Sequence, residues 1–360
     1  MPNSPGIAKP PLRARLRDSA MRLIRHSGGL SLVGGSSWRS RHLALLCYHG
    51  FSQDDEHQWH PSMYVPGALL EQRLRFLAEE RYVVLPLGEG LRRLAEGTLP
   101  PRAVAITIDD GSYDFYALGY PIFRRAGIPV TVYVSTYYVF KQLPVFDVAC
   151  AYVLWRSSDT TIREIHFPDG CGTVALGTEA GRHAALERIR SAATRLGWSA
   201  DEKHHWLAGL AAHLEFDWQG FLLQRRLCLM NPAEVASLDP AIVDVQLHTH
   251  RHRNPSDRAA FEQELSDNRD ALAACGFPPD GRKHFCYPSG LYDSRALPWL
   301  KDAGVVSAAT GIPGLVTPRT NPLLLPRFID TSTTAAVEFE GWVSGFRHVV
   351  RRPRRNGVRV

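Results

Sequence analysis

From residue 43 onward the chain alternates short apolar runs with stretches of helical periodicity. Residues 43–47 form an apolar run, and 67–80 place Leu69, Leu70, Leu74 and Leu77 at helical spacing. Residues 82–85 predict a strand and 87–95 a helix. A buried strand is predicted at 103–107, a helix at 115–126 stopped by Gly127 and Pro129, and a strand at 130–134. The rhythm returns with a strand at 242–247, a helix at 259–274, a strand at 284–287, a helix at 294–303 and a strand at 305–309. Such alternation implies parallel strands wrapped by helices, with chemistry gathered at the C-terminal ends of the strands. Residues 140–235 interrupt it with Trp155, Trp198, Trp206 and Trp218 and helical stretches at 180–196 and 201–213. They read as a mainly helical insertion, equally suited to capping a cleft or to a structural role.

Composition adds little to this picture: 44% hydrophobic and 22% charged residues are ordinary for a globular chain. No apolar run approaches the roughly 20 residues that span a bilayer, and the first residues lack the apolar core of a secretory signal. Six scattered cysteines with no CxxC pair predict reduced, mostly buried thiols. The expected compartment is therefore the cytoplasm.

Charge changes the picture more. Residues 1–42 carry a net +7 and the tail after Phe346 a net +6, which leaves the body near −7. Leu12, Leu16, Leu23 and Ile24 recur among Arg13, Arg15, Arg17, Arg22 and Arg25, a basic amphipathic pattern compatible with an anionic membrane surface. A solvated end is the simpler account of such a terminus. No binding module or aromatic stacking pattern accompanies the arginines, which argues against nucleic acid.

Two segments carry candidate chemistry, each at the mouth of a predicted strand: Thr107-Ile-Asp-Asp-Gly111 and His248-Thr-His-Arg-His252. Adjacent carboxylates point in different directions, so one can hold a metal while the other stays free as a base. Imidazoles four apart can converge on one divalent ion, and neutral imidazole suits zinc. His250 intervenes, so spacing alone leaves the register open. Each segment by itself is weak evidence; both at strand ends of one alternating domain are much stronger. His57 and His60 form another H-x-x-H beside Trp59 and Pro61, which reads as a loop. His204-His205 reads as a solvated helix face.

Thr107-Ile-Asp-Asp-Gly111 resembles the T-F-D-D-G motif of the polysaccharide deacetylases (carbohydrate esterase family 4, the NodB-homology domain). The histidine segment resembles that family's H-[ST]-x-x-H motif, which selects His248 and His252. Phe285-Cys-Tyr-Pro-Ser-Gly290 resembles its F-x-Y-P-Y-G segment, and Leu325-Pro-Arg-Phe328 its L-P-R-x segment. Leu46-Cys-Tyr-His-Gly50 resembles the early Y-H segment of the poly-N-acetylglucosamine deacetylase branch. The resemblance covers roughly residues 43–135 and 236–332. It implies a distorted (β/α) barrel of about seven strands at 43–332, interrupted by the 140–235 insertion, with a basic extension at 1–42 and a basic tail at 333–360.

The resemblance also implies roles. Asp110, His248 and His252 would bind one divalent ion, zinc by preference, and Asp109 would be the general base. The ion would act as Lewis acid and acidify a water. A backbone N–H near Ser289, in the Tyr287-Pro288-Ser289 segment, would stabilise the oxyanion. Thr249 would orient the histidine loop, and Arg327 would either keep Asp109 ionised or form a structural ion pair. The leaving amine needs a proton, for which His49 is the expected acid. The activity implied is removal of acetyl from an N-acetylated sugar in a polysaccharide or lipid-linked saccharide, with formyl as an alternative leaving acyl group. Ser289 stands where the family has an aromatic, which removes a sugar-stacking face and leaves the sugar open. A non-catalytic carbohydrate-binding descendant is the competing reading; retention of Asp109, Asp110, His248 and His252 argues against it. A zinc phosphoesterase would need more carboxylate ligands than these motifs supply.

Overall fold

The apolar runs are strands, and alternation along them sorts their side chains into two separate cores. A computed structural model describes residues 23–25, 27–158 and 162–350. Nine strands form one sheet: β1 (Leu43–Tyr48), β2 (Val83–Val84), β3 (Ala103–Ile108), β4 (Val130–Val134), β5 (Val243–Leu247), β6 (His284–Cys286), β7 (Ser307–Ala309), β8 (Leu315–Val316) and β9 (Phe328–Ile329). The order is β7-β6-β5-β4-β3-β1-β8, with β2 beside the start of β3 and β9 beside the end of β1. All pairings are parallel except that of β8.

The sheet curls because one short segment joins its two sides. Leu325 exchanges backbone hydrogen bonds with Ala308 (2.8 Å) and Thr310 (2.9 Å) at the β7 edge. Three residues on, Phe328 pairs with Leu46 of β1. The result is a distorted (β/α) barrel, as the family resemblance implies, with the parallel strands that the alternation predicts. Leu45, Ala105, Tyr133, Cys286, Ala309 and Leu325 meet in one cluster inside it. Leu46, Ile106, Val132, Val245, Phe285 and Ala308, one residue out of phase, belong to the cluster under the helices.

Helices α1 (Gly67–Glu79), α2 (Leu87–Glu96) and α3 (Tyr120–Ala126) follow the early strands, with a π-turn at Phe115–Gly119 where a continuous helix is predicted. The insertion contains α4 (Phe146–Arg156), α5 (Glu179–Arg195) and α6 (Ala200–His213) and its own apolar core around Tyr152, Ile189, Leu207 and Phe221. It also holds an antiparallel hairpin, Arg163–Phe167 and Gly170–Val174, that a helical reading misses. A buried ion network docks it on the barrel: Arg226 reaches Glu56 at 2.8 Å, and Tyr152 and Arg156 both reach Asp55. Then come α7 (Arg258–Ala274), α8 (Ala296–Asp302) and α9 (Ala336–Val343).

Residues 23–42 and 333–350 differ from the extension and tail expected of them. The helix Gly29–Gly34 and α9 pack at the N-terminal ends of the strands. There Arg39, fully buried, donates to the carbonyls of Ala103 (2.8 Å) and Val343 (3.0 Å). Leu30, Trp38, Phe339 and Trp342 supply the apolar contact that the charge count conceals. Leu12, Leu16 and the arginines at 13, 15, 17, 22 and beyond 350 lie outside the described residues. No helix among the described residues is long and apolar enough to cross a membrane.

Candidate active site

Both motif segments begin where a strand ends, so the same parity that builds the barrel aims their side chains. Asp109 continues the inward set of β3 and is 2% exposed. Arg327, 1% exposed and from the segment that joins the sheet's two sides, grips it with both ends of its fork, at 2.7 and 2.8 Å. Arg327 also donates to Thr107 Oγ1 (3.1 Å) and the Thr310 carbonyl (3.0 Å), so its position is over-determined. The remaining neighbours of Asp109 Oδ2 are Cys286 Sγ at 3.3 Å, His49 Nε2 at 3.6 Å and Cys47 Sγ at 3.7 Å. Burial alone would raise this carboxyl's pKa. The charge and hydrogen bonds of Arg327, with His49 and His248 beyond, outweigh burial and hold it well below the usual carboxylate range. The same burial pushes the Cys47 and Cys286 thiols up, so they stay neutral.

Asp110 faces the other way. Its φ of 72° turns the chain at once, and Gly111 follows at 79° with Val134 so close that a Cβ would meet it at 2.9 Å. Thr249 and His252 of the histidine segment, and Ser289, also have positive φ. Backbone conformations of this kind cost of order 1–3 kcal/mol each and gather where function requires them.

The histidine segment is held by α7. Asn268 accepts from the His248 N–H at 3.0 Å and donates to the Val134 carbonyl at 2.9 Å. One turn earlier, Glu264 accepts from the Arg251 N–H at 2.6 Å. Thr249 is buried, and its hydroxyl accepts from the Arg253 N–H. His250 turns away to Thr136 Oγ1 at 2.8 Å. His248 and His252 remain, and their Nε2 atoms lie 3.1 and 3.2 Å from the same oxygen, Asp110 Oδ1.

That convergence has a chemical meaning. His248 Nδ1 sits 2.8 Å from the Cys286 carbonyl, which can only accept, so Nδ1 carries a proton. In a neutral ring Nε2 is then a lone pair aimed at a carboxylate oxygen. Two acceptors at 3.1 Å need a proton or a cation between them. Without an ion, the hydrogen bonds from the two histidines overcome burial and hold Asp110 well below its ordinary pKa, while Asp110 overcomes burial to raise that of His252. One ligand atom from each of Asp110, His248 and His252 lies within 4.8 Å of the others, a set that fits one divalent ion. Asp109–His248–Cys286 and Cys47–His49–Asp109 are equally compact. Arg327, however, already places its cation 2.8 Å from Asp109 and 3.1 Å from Cys286, which disfavours a divalent ion there.

The cluster opens into a cavity of about 600 Å³. His49 and Asp110 line it on the barrel side, with Phe146, Leu186 and Lys203 on the insertion side. Asp114, also on its wall, accepts from the Phe51 N–H and the Ser112 hydroxyl, yet burial pushes its pKa up to about 7. His49 has Nε2 toward Asp109 and a buried Nδ1 without a hydrogen-bond partner among the described residues. The 287–291 loop is tied to the histidine segment by Asn254, which donates to the carbonyls of Pro288 and Leu291. Tyr287 itself does not face the site. It follows inward Cys286, so parity turns it outward, where its hydroxyl donates to the Leu323 carbonyl. His57 bonds Ser52, and His60, which lines the same cavity, bonds Ser62; neither belongs to the metal-type cluster. Cys47, Cys286, Glu264 and Asn268 are members of the site that motif reading passes over. The signal for the last two is a pair of polar residues on the buried face of α7.

The fold is similar to those of solved deacetylases. The Streptococcus pyogenes deacetylase PplD, in complex with acetate, superposes with a TM-score of 0.53 over 82% of this chain and 96% of that one, at 17% identity. IcaB from Ammonifex degensii gives 0.52 over 84% and 97%, at 15% identity. A de-N-acetylase from Aggregatibacter actinomycetemcomitans gives 0.51 over 84% and 99%, at 13% identity. At these identities the likeness is one of fold. No family model matches the sequence, and no curated protein matches it.

Proposed function

We propose that the protein is a metal-dependent deacetylase that hydrolyses the N-acetyl amide of a sugar in a polysaccharide or lipid-linked saccharide. The observation that carries this reading is the pair of imidazole Nε2 atoms converging on one Asp110 oxygen, beside a second carboxylate kept ionised by Arg327. Asp110, His248 and His252 are the residues that would hold the ion, zinc by the nature of the donors. Bound there, it would polarise the acyl carbonyl and acidify a water.

The chain's own residues supply the proton traffic. Asp109 is the base that takes the water's proton, and its weak basicity, set by Arg327, makes it dependent on a strongly acidified water. His49, 3.6 Å from Asp109, is the acid that protonates the departing nitrogen, without which an amide cannot be cleaved. Of the N–H groups in the 287–290 segment, Tyr287 donates to Ala309 and Gly290 to Tyr287, and Pro288 has none. The family resemblance puts the oxyanion donor near Ser289, and its N–H is the one in this segment that would serve. Thr249 and Arg327 position the histidine loop and the base. The insertion, as one wall of the cavity, selects the glycan.

The fold likeness to proteins described as deacetylases supports the reaction class. The test is acetate release from a panel of N-acetylated oligosaccharides and lipid-linked sugars, with and without chelator. Chelator-sensitive release is expected. Absence of release of acetyl or formyl from every member, with metal supplied, sinks the reading in favour of a binding protein.

A further inference from the structure

A second set of metal-type donors lies on the insertion, outside the cleft. In the Arg163–Phe167/Gly170–Val174 hairpin, the register sets His166 opposite Cys171 and Glu164 opposite Thr173. Alternation buries Ile165, Phe167 and Val174 in the insertion's core and leaves Glu164, His166 and Cys171 on the exposed face. One ligand atom from each of these three lies within 4.8 Å of the other two. Among the described residues, no hydrogen bond or ion pair engages the Glu164 carboxylate, the His166 ring nitrogens or the Cys171 thiol. Cys171 is also the exposed cysteine, while Cys47, Cys150, Cys228, Cys275 and Cys286 are buried.

The end of α6 reaches the same place. His213 Nε2 lies 2.6 Å from the Glu164 carbonyl, and its ring stacks on His166 at 5.5 Å and 29°. His205 and His213 occupy one face of α6, two turns apart, with Gly209 between them and no atom within 4 Å of where its Cβ would stand. Together with His166 they line a groove of about 310 Å³. Carboxylate, imidazole and thiolate make a mixed oxygen, nitrogen and sulfur donor set. Magnesium and calcium prefer oxygen alone, whereas zinc-like ions accept this combination.

We propose that the outer face of this hairpin is a second, non-catalytic site for a borderline-soft divalent transition ion such as Zn²⁺, bound by Glu164, His166 and Cys171 with water completing four-coordination. Cys171 binds as thiolate and releases its proton to solvent. The ion pins the two strands together, and through His213 it fixes the end of α6, whose first turns present Lys203 to the cleft wall. This site stands independently of the deacetylase reading.

Cobalt(II) alone, titrated into the reduced, chelator-stripped full chain, tests it. A near-ultraviolet sulfur-to-cobalt charge-transfer band is expected, displaced by Zn²⁺. The catalytic cluster has no thiolate ligand, so the band should persist in His248→Ala. It should vanish in Cys171→Ser, and His166→Ala should weaken cobalt binding by about tenfold or more. No band in the wild-type chain overturns the proposal, as does a band that survives Cys171→Ser and so belongs to another thiol. A measurement on the unmutated protein guards against a misfolded variant. Zn²⁺ should protect Cys171 from alkylation, read by peptide mass spectrometry, and equal alkylation with and without Zn²⁺ also overturns the proposal.

Discussion

Two regions meet at consecutive residues, one sealed inside the barrel around Asp109 and one at the cavity floor around Asp110. In the sealed region both oxygens of Asp109 have a protein partner: Arg327 answers them, and Thr107 and Thr310 hold Arg327. In the open region two imidazole nitrogens and a carboxylate oxygen face one another with no protein cation between them. The first arrangement is complete as folded and sets a charge state. The second brings together the donor set of a divalent ion. One turn of backbone at Asp110 separates the two environments.

The contrast predicts graded outcomes. Asp110→Ala or His248→Ala removes a donor from the open set. Acetate release should fall to background and the bound metal at that cluster should disappear by elemental analysis; retained metal and activity would place the centre elsewhere. Asp109→Asn, in the sealed set, should keep the metal but lose on the order of 10²–10⁴-fold in rate. Full activity in that variant contradicts its role as base.

Arg327→Met strands a buried carboxylate and should cost about 3–5 kcal/mol near neutral pH, measured by urea unfolding. The pH dependence of the Asp109 contribution reverses in this variant. In the wild type the depressed Asp109 pKa contributes stability above the unfolded value of about 3.9, lost as pH falls through the lower folded value. Without Arg327, burial raises that pKa, so the deficit should shrink toward acid; a pH-independent loss would mean that the pair is not electrostatic.

His49→Gln should lower amide hydrolysis by about 10²-fold yet spare an aryl acetate, whose leaving group needs no proton. Equal losses on both would remove His49 from the acid role. An effect of opposite sign belongs to Asp114. Its folded pKa near 7 means that the unfolded chain ionises first, so stability declines between pH 4 and 7 and then levels. Asp114→Asn, which keeps the acceptor for Phe51 and Ser112, should recover roughly 2–4 kcal/mol above pH 7 and nothing at pH 4. Unfolding midpoints across that range decide it.

Much of the strand–helix order was legible because β1, β3 and β4 are continuous apolar runs of five or six residues, buried on both faces. The ends of those strands therefore pointed to Asp109, Asp110 and the histidines before any contact was visible. The joining segment was not legible as a strand, since Pro326 and Arg327 break its apolar pattern and its hydrogen bonds are shared between two partners. Cys47 and Cys286 read as ordinary buried thiols. Their closeness to Asp109 depends on strands that are neighbours in the barrel but far apart in sequence. Tyr287 was assigned to the site by its motif, and parity after Cys286 turned it outward. The hairpin hid behind a polar, glycine-containing outer face, although Ile165 and Phe167 already showed a strand's alternation. The basic ends were judged by net charge, and a few aromatic residues proved sufficient to dock 27–42 and 336–348.

That docking has a consequence for how the molecule presents itself. Arg25 meets Glu340 at 2.9 Å, Gly34 rests on Ser344 and Trp38 on Gly345, all at the pole where Arg39 caps the start of β3. The cleft lies at the other pole, about 20 Å away along a six-residue strand. A partner seated on the pole formed by 27–42 and 336–348 would therefore leave the mouth of the cleft uncovered.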